Sequence, residues 1–151
     1  MGVLAFLAMG GFEFRETMAG TYRRGHEERP MKFTVTARAK DIVQHLMDRR
    51  AELVGHVDME GFATQQALIG ELTIDPLIRG RIGYEFSFSA DDGKRYRFSG
   101  EKTIHLFKPV QSMTVLPGAI LDERSTEVAT ATLHFDPRHL PSFLASFRPI
   151  L

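Results

Sequence analysis

Alternation with period two runs through most of this chain, and no other feature constrains its fold as tightly. In FEFRETMAGTY, every second residue gives the row Phe12, Phe14, Glu16, Met18, Gly20, Tyr22, against Glu13, Arg15, Thr17, Ala19, Thr21. Successive side chains of a strand point to opposite faces, so such a row is the buried side of a half-buried strand. The pattern recurs with Met31, Phe33, Val35, Ala37 inward in MKFTVTARA, and with Ala51, Leu53, Gly55, Val57, Met59 in AELVGHVDME. QALIGELTID reads as a fourth strand. LIRGRIGYEFSFSA carries Ile78, Gly80, Ile82, Tyr84, Phe86 and Phe88 inward. Asp91-Asp92-Gly93 turns the chain back, because Asp-Gly accepts the positive φ of a hairpin turn. KRYRFSGEKTIHLF returns with Tyr96, Phe98, Gly100, Lys102, Ile104 and Leu106 inward. VQSMTVLPGAIL and EVATATLHF complete eight strands.

Four stretches depart from the period. The opening MGVLAFLAMGG is apolar without a positive n-region, and its apolar run is far too short to span a bilayer. Residues 1–11 therefore read as a flexible leader and 12–151 as a single β-barrel domain, a length that suits one domain. GHEERP reads as a loop ending at Pro30. KDIVQHLMDRR spaces Ile42, Val43, Leu46 and Met47 as a short amphipathic helix after the second strand. Asp136-Pro137 is a helix-start signal, followed by Leu140, Phe143, Leu144 and Phe147 as the apolar stripe of a C-terminal helix.

One apolar face per strand and short connections imply antiparallel neighbours curled around a core. The expected fold is mainly β, an eight-stranded antiparallel up-and-down barrel or curved half-barrel of lipocalin-like form, with a two-sheet sandwich as the competing arrangement. Closure removes the edges that a flat sheet would expose. Gly20, Gly55, Gly70, Gly80, Gly100 and Gly118 fall within strands rather than at turns, where glycine marks a bend or a close approach.

The charge balance limits partners. Lys+Arg and Asp+Glu are 19 each, so no long-range field recruits nucleic acid or an anionic membrane. There is no cysteine, which removes disulfides and thiolate metal sites and fits a reducing, cytoplasmic setting for a soluble protein. None of the common catalytic or phosphate-binding motifs occurs. Apart from a weak His134/His139 pair the histidines lack metal-ligand spacing, and His56, His105 and His134 fall on the solvent side of their strands. No catalytic residue, metal site or cofactor is expected.

What the pattern does single out is charge in two apolar rows. Glu16 lies among Phe12, Phe14 and Met18, and Lys102 among Tyr96, Phe98 and Ile104. A lone buried charge is very costly, so each needs a partner, and each is the other's only inward candidate. The two are expected to meet inside. Such a pair can simply fix strand register, or it can anchor a ligand at the floor of a mostly apolar cavity.

Several short motifs carry a resemblance. Phe14-x-Glu16-Thr17-Met18-x-Gly20, Tyr84-x-Phe86, the Asp92-Gly93 turn, Phe98-Ser99-Gly100-x-Lys102 and Met113-Thr114-x-Leu116 resemble a β-rich accessory region. That region accompanies bacterial glucose–methanol–choline-type flavin oxidoreductases similar to cholesterol oxidase. The flavin-binding glycine loop is missing here, and the resemblance implies no catalytic residues. It implies a free-standing accessory module that handles an apolar or steroid-like molecule or docks on an oxidoreductase.

Three readings of function follow. In the first, the barrel is a non-catalytic binder of a small apolar molecule, with Glu16, Lys102, Tyr84, Phe86, Phe98 and Met18 lining the site. In the second, a solidly packed barrel acts as an interaction module on an oxidoreductase or on itself, as a homodimer. Twelve Phe and seven Met could fill the lumen and favour this one. In the third, Glu16 serves an enzyme as general acid or base.

Overall fold

In a computed structural model of the protein, the alternating rows become strands that pair in chain order. The structure describes residues 11–39, 50–75, 81–103 and 115–136, together with 138, 145 and 148–150. The strands are β1 (Gly11–Arg24), β2 (Glu27–Ala39), β3 (Arg50–Met59), β4 (Ala63–Asp75), β5 (Arg81–Ser89), β6 (Arg95–Thr103), β7 (Val115–Leu121), β8 (Glu127–His134) and β9 (Arg148–Ile150). The sheet runs β2-β3-β4-β5-β6-β7-β8-β1, and β1 also pairs with β2, so eight antiparallel strands close on themselves. Closure excludes the half-barrel and the sandwich. The helix expected after the second strand falls on residues 40–49, outside the described residues, and Arg50 already belongs to β3. The helix expected after Asp136 falls for the most part outside them as well. β9 was not anticipated.

Strand β1 makes the closing seam. Along one edge it pairs with β2 over its whole length from Phe12↔Ala39 to Arg24↔Glu27. Along the other it pairs with β8 from Ala19↔His134 to Arg23↔Thr130, and its start, Gly11–Glu13, takes β9. Gly20 sits in this seam, where a Cβ would lie 2.1 Å from the Thr132 carbonyl oxygen. At Gly55 a Cβ would lie 1.9 Å from the Thr34 carbonyl oxygen. Real Cβ atoms do not come so close, so these strands approach each other only because glycine occupies both positions.

GHEERP is not a loop. The turn is Gly25-His26 alone, with Gly25 at φ 63° in the first central position, and Glu27–Pro30 continue β2. A proline is tolerated here because a residue's N–H and C=O point to the same side of its strand. The Pro30 carbonyl accepts the Glu60 N–H at 3.1 Å, so the missing donor faces β3, where that ladder has already ended at Met31↔Met59. The polar residues of this stretch reach outward instead, as in the Arg23–Glu28 and Arg29–Glu27 ion pairs.

Inside, the rows hold over the described residues, while Ile78, Gly80, Ile104 and Leu106 lie outside them. Phe14, Met18, Tyr22, Met31, Phe33, Val35, Leu53, Val57, Tyr84, Phe86, Phe88, Phe98, Leu116, Ile120 and Leu133 are buried in one core. Outside, cross-strand ion pairs such as Arg38–Glu13, Arg50–Glu71 and Arg81–Glu101 cover the wall. Apolar residues inward and charges outward is the reverse of a barrel that faces lipid.

The two ends of the barrel differ. Short turns join β1–β2, β3–β4, β5–β6 and β7–β8 at one end. The longer connections, residues 40–49, 76–80 and 104–114, leave from the other end.

Candidate polar site in the barrel lumen

Glu16 stands in the middle of β1, Tyr84 is the fourth residue of β5, and Lys102 is the last residue but one of β6. All three obey the inward parity of their strands, and the curvature of the sheet brings β1 across the lumen from β5 and β6. Lys102 Nζ donates to Glu16 Oε2 at 3.0 Å, and Tyr84 OH donates to Glu16 Oε1 at 2.5 Å. Lys102 Nζ also lies 5.1 Å from the centre of the Tyr84 ring, within cation–π range. Lys102 is 1% exposed, Tyr84 2% and Glu16 7%. Among the described residues Glu16 and Lys102 are the buried charged pair, so the site is fully charged yet neutral in sum.

Each carboxylate oxygen has a donor, and charge-assisted bonds of this kind are the strong ones. The Tyr84 hydroxyl is held well above its ordinary pKa of 10.0. Burial is the main cause, followed by the Glu16 charge and the hydrogen bond given to it. Tyr84 is therefore a fixed donor through the neutral range.

Next to this cluster lies an aromatic layer. Phe86 stacks on Phe98 with centroids 4.9 Å apart, Phe33 meets Phe86 edge-on at 5.2 Å, and Phe33 touches Tyr84 at 6.0 Å. Beyond it, the short-turn end is plugged. Phe62 packs against Tyr96 at 4.8 Å and Tyr22 at 6.3 Å, and the Arg24 guanidinium covers it at 5.3 Å. Tyr22 OH donates to the Glu60 carbonyl at 2.5 Å and locks that rim. The other half of the lumen is built differently. There β2 and β3 turn Ala37, Ala39 and Ala51 inward, with the buried Phe14 of β1 paired beside Ala37.

Of the residues singled out from sequence, Glu16, Lys102 and Tyr84 come together. Sequence parity paired the two charges but placed Tyr84 only in the lining, whereas it is the carboxylate's second donor. Phe86 and Phe98 belong to the adjoining aromatic layer, and Met18 is wholly buried two residues along β1 from Glu16. The aromatic plug was not foreseen, since it depends on a turn residue, Phe62, folding over the rim.

An open groove of about 770 Å³ lies on the outer wall of β4–β7 and includes Glu71, Glu85 and Glu101. Its carboxylates already have partners in Arg50, Ser99 and Arg81, so it has little left to offer a cation. His26, His56 and His134 are exposed, and His45, His105 and His139 lie outside the described residues. Among the described residues no group of three or more His, Asp or Glu is placed to hold a metal, and no helix is long and apolar enough to cross a membrane. No family model, no curated protein and no solved structure matches the chain.

Proposed function

We propose that this barrel is a lipocalin-like, non-catalytic binder of a small, largely apolar molecule of lipid or steroid type, whose polar group meets Glu16, Lys102 and Tyr84. The observation that carries this reading is the placement of a neutral but charged cluster inside an apolar lumen, in the half that faces alanines rather than the aromatic plug. Apolar residues of similar volume would stabilise a barrel as well as a buried ion pair does. Ligand sites of this kind are mostly apolar with a few fixed polar groups, and the cluster supplies those groups.

The tightly stacked Phe86–Phe98 pair favours a second reading, a solidly filled barrel serving as an accessory module on an oxidoreductase or on a second copy. Native mass spectrometry of the freshly purified protein, with solvent extraction, separates the two. The expected result is a stoichiometric adduct of a few hundred daltons that extracts into organic solvent. A clean apo mass from several expression hosts would reject the carrier reading, and the same spectrum would report any self-association.

A further inference from the structure

The hydrogen-bond inventory of Lys102 constrains the ligand beyond its size and apolarity. An ammonium group carries three N–H donors. One is used by Glu16 Oε2, and the Tyr84 ring faces Nζ at 5.1 Å. Among the described residues no other acceptor reaches it. A lysine that is 1% exposed cannot complete its set from bulk solvent. Donor capacity therefore remains at the centre of the site, and it calls for an acceptor.

The charge balance decides which acceptor. Glu16 already neutralises Lys102, and Tyr84 is held protonated by burial and by the Glu16 carboxylate. A ligand carboxylate arriving here would give the enclosed site a net negative charge beside Glu16, with no further cation among the buried described residues to offset it. Burying an unbalanced charge is far more costly than burying a hydrogen-bonded neutral group. A ketone, ester or amide oxygen accepts the free N–H groups and leaves the balance untouched.

We infer that the site selects apolar molecules bearing a neutral oxygen acceptor and rejects the corresponding carboxylic acids. The inference rests on the carrier reading above and adds the chemical class of the ligand's polar group. Two matched pairs test it on the full chain by titration at neutral pH. One is Prodan, a naphthyl ketone, against the naphthoate in which a carboxylate replaces that ketone. The other is methyl laurate against laurate. The expected result is that the neutral member of the pair that fits binds at least about tenfold tighter than its acid. The variant Glu16→Gln, which leaves the site with one net positive charge, should narrow or reverse that ratio.

Equal or tighter binding of the acids by the wild-type chain would overturn the inference and leave the carrier reading standing. So would a ratio that Glu16→Gln, shown to be folded by circular dichroism, does not move. Failure of all four probes to bind the wild-type chain would instead reject the carrier reading, and the inference with it. The wild-type comparison decides the matter even if Glu16→Gln does not fold.

Discussion

At the scale of single residues, the buried cluster behaves as one unit. Lys102→Met leaves the Glu16 carboxylate enclosed with one donor, and stability should fall by about 3–5 kcal/mol in urea titrations. The triple variant Glu16→Leu, Lys102→Met, Tyr84→Phe removes all the polar atoms together, and it should stay within about 1 kcal/mol of wild type or exceed it. A small loss for Lys102→Met alone would mean that the two charges are not enclosed together. Tyr84 adds a pH dependence whose sign is fixed by the direction of its shift. Its folded-state pKa lies above the unfolded value of 10.0, so the native state holds a proton that the unfolded chain has released. The associated stability is complete below that value and is lost as pH rises beyond it. Urea titrations at increasing alkalinity should show a steeper decline for wild type than for Tyr84→Phe.

At the scale of elements, one side chain adds a clamp to the short-turn end. Asp91, in the β5–β6 turn, accepts the Thr64 N–H at 2.8 Å, the Thr64 hydroxyl at 2.9 Å and the Gln66 amide at 2.9 Å. These bonds tie two hairpins together, and they hold the carboxyl below its ordinary pKa, the Gln66 bond most of all. A lowered folded-state pKa means stability that is present above the unfolded value and lost as pH falls through the folded one. The gap in melting temperature between wild type and Asp91→Asn should thus be widest near neutrality and close below about pH 4. The inward rows of β1, β2, β3, β5 and β6 were legible in the sequence because one face is packed and the other wet, so side-chain parity alone decides burial. The Glu16–Lys102 meeting was legible for the same reason, as two charges in apolar rows had no other inward partner. What parity does not carry is how far a strand extends or what folds over a rim. Glu27–Pro30 look like a loop because the polar residues of an outward-reaching hairpin are loop residues by composition. β9 is three residues long, too short for any period to register. The Asp91 clamp joins residues 25 and 27 positions apart through turn geometry that no local pattern reports.

At the scale of the whole molecule, closure rests on pairs that lie far apart in the chain. Gly20 meets Leu133, and Glu16 lies 86 positions before Lys102. Such long-range pairing makes a barrel slow to complete, since loop-closure entropy must be overcome before the contacts exist. A chain made from its N-terminus therefore holds the β1–β2 hairpin with an open edge while the rest is still being synthesised. An apolar edge strand is a template for aggregation, and an inward-pointing charge is one of the devices that blunts it. Glu16 sits in that edge, without its counter-charge until β6 arrives. The triple variant described above should accordingly be stable once folded yet yield more aggregate than wild type on rapid dilution from urea, read by light scattering. The carboxylate that looks misplaced in the finished lumen is thus a guard in time: it keeps the first strand in water until its lysine has been made.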